Sequence, residues 1–312
     1  MSTRDTVALG ASGSAAGGAA NRLWLAAMPW LFVALWSTGF VVAKYGLPYA
    51  EPMTFLFLRF VGVLILMVPF VIVARVPLPR HEGGDIDWPR IGHIAVSGLL
   101  LQAGYLGGVW AAMSLGMPAG LSALIVGMQP VLTAMVATRM GERVRFLQWL
   151  GLILGLVGVG LVVSSKLSTL GLSLTSLGLA VGALASITAG TLYQKHFCPM
   201  FDLRMGAVIQ FGAAAVACVP FMFAFETREV HWNLALVASL AWSIVALSLG
   251  AISLLFLLIR RGAAMRVSSL MYLTPPTTAV MAWLLFGERF TPIAAAGMAV
   301  AAVGVALVIR RQ

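Results

Sequence analysis

PVLTAMVATRMGER at residues 130–143 and PTTAVMAWLLFGER at residues 276–289 place a proline, a methionine and a Gly-Glu-Arg triplet at the same spacing, 146 residues apart. Working outward in that ungapped register, Pro118 to Val163 pairs 13 identical residues in 46, among them Ser122 with Ser268, Gly151 with Gly297 and Gly158 with Gly304. It extends back through Gly104 with Gly250 and Gly116 with Gly262. At an offset of 151, Val68-Pro69-Phe70 meets Val219-Pro220-Phe221, Phe60 falls on Phe211 and acidic Glu51 on Asp202. The chain is therefore read as a duplication, and the number of elements in each copy decides how the copies face each other.

Composition sets that number. Of 312 residues, 61% are hydrophobic and 10% charged, where soluble domains carry about 25% charged residues. Too little polar surface is available to cover a water-soluble fold, so apolar residues must face lipid. A crossing helix needs about 20 mostly apolar residues. Cutting at Pro, Gly and charge clusters yields ten segments: Leu23 to Lys44, Pro52 to Ala74, Ile91 to Met113, Ala119 to Thr138, Phe146 to Ser164, Thr175 to Tyr193, Met205 to Phe225, Asn233 to Ile259, Val267 to Phe286 and Pro292 to Ile309. The runs are continuously apolar rather than alternating over about 10 residues, which excludes a membrane barrel. The expected fold is all-α, ten transmembrane helices in two five-helix repeats. Because five is odd, the second copy starts on the opposite side of the membrane, and inverted repeats of this kind place a substrate site near the midplane between the halves. The expected organisation is a flexible tail over 1–21, a first repeat over 22–166 and a second over 167–312.

The formal charge of +10 would suggest nucleic acid in a soluble protein. Here it orients the chain. With the tail cytoplasmic, fifteen Lys and Arg fall inside and four (Lys44, Lys166, Arg228, Arg289) outside, Arg59 lying within the second span; this is a strong positive-inside bias. Both termini are expected in the cytoplasm of a cell with an inner membrane. The tail lacks the compact apolar core and cleavage site of a signal peptide. Its Gly10-Ala11-Ser12-Gly13 cannot hold the strained turn a nucleophile needs. Cys198 and Cys218 have no metal-type spacing and read as apolar filler.

Trp36-Ser37-Thr38-Gly39-Phe40 with Lys44, then Pro52 and Arg59, then Pro130 and Glu142, restated by Pro276 and Glu288, resemble the EamA-type half of the drug/metabolite transporter superfamily. The resemblance runs from Leu23 to Arg311, and the overall pattern is similar to the YddG group of amino acid exporters, which expel aromatic and other neutral amino acids. It implies a basket of helices one to four and six to nine around a central cavity, with helices five and ten peripheral.

Charges in hydrocarbon are costly and usually functional, and no Asp or Glu falls near the middle of a span. That argues against carboxylate-driven ion coupling. His93 is read as interfacial. Arg59 lies about 10 Å into the second helix, where it would either pair with a substrate carboxylate or serve structurally through backbone carbonyls, Glu51 or snorkelling. Neutral candidates for a substrate site are Trp36 and Phe40 on one face of the first helix, Gln102 and Tyr105 on the third, Ser122 and Gln129 on the fourth, Ser248 at the register of Gln102, and Ser268 and Tyr272 on the ninth. Such a set would hold a small zwitterion, while the competing role for each is helix packing. Pro130 and Pro276 remove a helix hydrogen bond at equivalent depths and bend or gate their helices. Glu142 and Glu288 sit at helix ends on opposite sides. Gly151, Gly155, Gly158 and Gly160 form a small-residue face for packing or dimerisation.

The reading is a non-enzymatic exporter of neutral amino acids working by alternating access, without cofactor or metal, its partners being a small-molecule substrate and the lipid bilayer, as a monomer or homodimer. The alternatives are a drug or small-metabolite carrier of the same superfamily, a lipid enzyme, which lacks a catalytic cluster, or a channel. A nucleotide-sugar carrier would need a more basic interior.

Overall fold

The structure, a computed structural model, describes residues 27–139, 146–170, 172–251, 253–254, 273–288 and 291–309. Those residues form helices and no strand, with two isolated bridges, Ala50 to Val230 and Arg80 to Ile86. In chain order the helices are α1 (Ala27–Gly46), α2 (Pro52–Val73), α3 (Trp88–Ser114), α4 (Ala119–Val126), α5 (Gln129–Arg139), α6 (Phe146–Leu170), α7 (Leu174–Phe197), α8 (Leu203–Phe225), α9 (Leu234–Ala251), α10 (Thr274–Phe286) and α11 (Pro292–Ile309). Among the described residues α1, α2, α3, α7, α8 and α9 are long and apolar enough to cross a membrane, and shorter apolar stretches lie in α4 with α5, in α6 and in α11.

The ends follow local chemistry. Asp87, Ser173, Asp202 and Asn233 each accept a hydrogen bond from a backbone N–H in the first turn of the helix they precede, satisfying donors that have no partner within the helix. Pro52 opens α2, Pro292 opens α11 and a left-handed Gly287 closes α10, each where its backbone is suited. The fourth segment, expected as one span, divides at Gly127 and Met128. Pro130 has no N–H to give, and its ring crowds the carbonyl four residues earlier, so the amides of Gly127 and Met128 close the first piece on Ala123 and Ile125. Pro276 lies in the first turn of α10. The expected eighth and ninth spans run partly through 255–272, outside the described residues.

A core of Phe55, Phe60, Val63, Trp110 and Phe211 joins α2, α3 and α8. The Phe55 and Trp110 rings stand 4.3 Å apart, those of Phe60 and Phe211 5.7 Å. Outward faces stay apolar: Ile65 and Ile72 on α2, Val216 and Phe223 on α8, Val303 on α11 are all exposed, as suits a surface solvated by lipid chains. Several exposed tryptophans stand toward helix ends, Trp30, Trp88 and Trp149 near helix starts on one side and Trp232 and Trp283 on the other, the depth at which indole rings meet the interface, while Trp242 is exposed at mid-helix in α9.

Glycines set the closest helix contact. A Cβ at Gly158 of α6 would stand 2.5 Å from the Gly297 carbonyl of α11, and one at Gly304 would stand 2.6 Å from the Gly151 carbonyl. These contacts run in opposite directions along the two chains, so α6 and α11 are antiparallel and touch backbone to backbone, a small-residue packing familiar in membranes. The glycine face of α6 is thus occupied within the chain, while Gly160 has open space around it.

Two helices widen locally. Residues Leu99–Gly104 of α3 and Trp242–Ala251 of α9 are π-helical. Shifted by 146, the first stretch falls on 245–250, inside the second.

Candidate functional site

Arg59 enters the core from α2 and is buried at 7% exposure. Its Nε donates to Ser248 Oγ at 3.2 Å, and Ser248 Oγ in turn donates to the Ser243 carbonyl five residues back, at 3.0 Å. That five-residue bond is available because α9 is π-helical there. Tyr105, at the end of the π-helical turn of α3, is buried in the same region, within electrostatic reach of Arg59. Among the described residues Arg59 has no acidic partner. Glu51, one candidate for that role, instead accepts from the Thr227 hydroxyl and the Arg228 amide, both at 2.9 Å. A cation fixed in an apolar core by a hydroxyl, with its terminal nitrogens unassigned among the described residues, is suited to receive an anionic group such as a carboxylate.

Of the residues singled out from the sequence, Arg59, Tyr105 and Ser248 come together, and Phe40 belongs to the same buried core. Gln102 is half-buried on the π-turn, at the position equivalent to Ser248 at the offset of 146. Trp36 packs elsewhere, against Phe32 at 5.5 Å in a small cluster with Met28 and Leu254. Ser122 is fully buried in α4 and its hydroxyl has no partner among the described residues. Gln129 Nε2 donates to Thr191 Oγ1 of α7 at 2.9 Å. Ser268, Tyr272 and Glu142 lie outside the described residues. His93 Nδ1 meets the Tyr193 hydroxyl at 2.7 Å and its ring stacks on Phe197.

At the other end of the molecule Glu288, buried at the end of α10, accepts from Lys44 Nζ at 2.5 Å and from the Ala119 amide that opens α4. The Lys44 ammonium also sits 4.6 Å over the Phe286 ring. One carboxylate therefore ties α1, α4 and α10 together on the face where the 46–51 and 226–233 turns lie.

Sequence reasoning passed over several polar residues on α7 and α8. Gln210 Nε2 donates to Ser97 Oγ at 2.9 Å and to Gln194 Oε1 at 3.1 Å, linking α8, α3 and α7. Thr191, Gln194, Lys195, Cys198, Pro199 and Leu101 line an open cavity of about 350 Å³. The signal was present: Thr191, Gln194 and Lys195 fall at i, i+3 and i+4, one helix face, and a lone glutamine inside an apolar span such as Gln210 rarely goes unpaired. Burial pushes the Cys198 thiol up from its ordinary value, and the nearby Arg90 partly offsets this.

Helices apolar on the outside, close-packed through glycine and carrying a buried cation and amides within, define a polytopic membrane protein. A model of the EamA-like transporter family matches residues 23–164 and again 174–310, and the chain belongs to that family. It is therefore a membrane transporter and not an enzyme. It is similar to a probable amino-acid metabolite efflux pump of Salmonella typhimurium, at 24% identity over 86% of this chain and 88% of that protein. The pump of the same description from Escherichia coli K12 is 26% identical over 84% and 86%. An uncharacterized inner membrane transporter of Escherichia coli K12, YedA, is 24% identical over 83% and 82%. One solved structure superposes with a TM-score of 0.63 at 17% identity, covering 91% of this chain and 98% of the other, a likeness of fold. Multi-pass insertion in an inner membrane accords with these relatives and with the apolar helices.

Proposed function

We propose that the protein exports neutral amino acids across the inner membrane by alternating access, with the substrate carboxylate bound at Arg59 beside Tyr105 and Ser248. The observation that carries this is a buried guanidinium without an acidic partner among the described residues, fixed through Nε by a serine hydroxyl. A zwitterion brings its own countercharge, so one cation suffices, whereas a phosphate-rich cargo would need several. The relatives named as probable amino-acid metabolite efflux pumps support the same substrate class.

The mechanism rests on ten helices in two inverted five-helix repeats, 22–166 and 167–312, with both termini cytoplasmic. Three features support the inversion. Phe60 and Phe211, equivalent at an offset of 151, pack against each other with tilted rings, as residues beside a two-fold axis do. Gly158 meets Gly297 while Gly151 meets Gly304, a crossed exchange of residues equivalent at 146, which a two-fold between antiparallel helices produces. The family model matches twice. Orientation follows from the bias of fifteen cationic residues to four. Rocking of the halves opens the site to one side and then the other, and the substrate drives that shift only through contacts that differ between the two states.

The test is counterflow in proteoliposomes over a panel of amino acids. Methionine, threonine or phenylalanine exchanges saturably, and Arg59→Met raises the half-saturating concentration by about 10- to 100-fold, the value of one charged hydrogen-bond pair. Absence of saturable amino acid flux in the wild type, or flux of apolar drugs alone, overturns the assignment.

A further inference from the structure

The cavity beside Lys195 is separate from the Arg59 site and joined to it by one turn of α3. Leu101 lines the cavity, Gln102 follows on the π-turn, and Tyr105, four residues beyond Leu101, lies within electrostatic reach of Arg59. About 350 Å³ falls within the range of small-molecule sites. Its wall divides by chemistry. Leu101, Cys198 and Pro199 are apolar; Lys195, Gln194 and Thr191 are polar. Gln194 Oε1 and Thr191 Oγ1 already accept from Gln210 and Gln129, so Gln194 is held with amide N–H groups that have no acceptor among the described residues. Lys195 has no acidic partner among the described residues.

The other face supplies the contrast. Lys44 occupies the register position of Lys195 at an offset of 151, and its ammonium is taken by Glu288. One lysine is thus neutralised by the protein's own carboxylate; Lys195 lines an open cavity, and the acid at the equivalent register, Glu142, lies outside the described residues, so its removal is a control for a simple ion pair.

We infer that this cavity is a loading site in which the Lys195 ammonium and the Gln194 amide take the carboxylate of a neutral α-amino acid before it passes along the α3 turn to Arg59. The orphan carbonyls at the α7 C-terminus carry the negative end of the helix dipole and suit the α-ammonium; Leu101 and Pro199 suit an apolar side chain. The inference rests on the amino acid reading above and adds a first station to it.

The experiment compares methionine with methioninamide, which lacks the carboxylate, offered from the Lys195 side or the opposite side of reconstituted protein. Lys195→Gln is expected to raise the half-saturating methionine concentration about 10-fold from the Lys195 side only, with the maximal rate retained, methioninamide unaffected and Lys195→Arg close to wild type. Independently of those variants, Pro199→Cys in a Cys198→Ser, Cys218→Ser background is expected to be protected from a maleimide by methionine and not by methioninamide. Equal effects of Lys195→Gln on both compounds, reproduction of its phenotype by Glu142→Gln, or no selective protection at Pro199→Cys would overturn the loading site and leave Lys195 as a helix tie. A wild type that moves no amino acid defeats the function proposed above, whereas one that moves methionine while Lys195→Gln behaves normally defeats only the loading site.

Discussion

Glu226 reaches from the end of α8 to the first turn of α2, where its carboxylate accepts from the Met53 amide at 2.6 Å and from the Thr54 amide and hydroxyl at 2.8 and 2.7 Å. The residue before that helix, Glu51, makes no such cap and turns to Thr227 and Arg228. Two carboxylates are thus exchanged between α2 and the end of α8, and removing one leaves helix-end donors unpaired. Glu226→Ala is expected to cost about 1–2 kcal/mol, seen as a lowered Tm in detergent; an unchanged Tm would show water replacing the cap without loss. Asp202 gives a pH-dependent case. The Arg204 hydrogen bond holds its carboxyl below its ordinary 3.8, so the folded state binds its proton less readily than the unfolded chain. Its contribution is present above the ordinary value and is lost as the pH falls through the folded one. Asp202→Ala is therefore expected to lower Tm at neutral pH, with the gap to wild type closing toward pH 3. A gap that stays constant would mean that the carboxylate charge contributes nothing.

Elements meet through what their sequences omit. The contact between α6 and α11 exists because glycines let two backbones approach, and any side chain at Gly158 must enter α11: a Cβ would lie 2.4 Å from the Ala301 amide nitrogen. Gly158→Val is expected to destabilise by about 1–3 kcal/mol through overpacking and to lower the monodisperse fraction in size-exclusion chromatography. Gly160→Ala, two residues away with open space around it, is expected to behave as wild type. Equal behaviour of the two would place the interface elsewhere. The small-residue pattern was legible in the sequence, but whether it served an internal neighbour or a second molecule was not, since periodicity names a face and never its occupant. The π-helical turns show the complementary limit. Nothing in Leu99-Leu100-Leu101-Gln102-Ala103-Gly104 distinguishes it from an α-helical run, because one extra residue per turn is selected by packing, here the close approach of Gly104 and Leu100 to Ser186 of α7.

At the scale of the molecule, charge assigns the two faces. The turn at 74–87 and the α7 end belong to the side rich in Arg and Lys, and the α3–α4 turn to the other. In a Cys198→Ser, Cys218→Ser background, a membrane-impermeant maleimide applied to intact cells is expected to label Ser114→Cys and to spare Glu82→Cys until the membrane is opened; both positions are exposed. The reverse pattern would invert the topology. The sequence by itself determined that the chain lies in a membrane and that it is helical, and its register pointed to a duplication, because hydropathy, helix length and register are properties of residues in order. It also marked Arg59, since an arginine within a span has few uses. Only the tertiary structure decided what Arg59 meets, that Gln129 turns to Thr191, and that Leu101 joins Gln194 and Lys195 around a cavity. Those are matters of which helix faces which, and they are settled by side-chain packing between segments 60 to 190 residues apart, a distance over which local pattern carries no information.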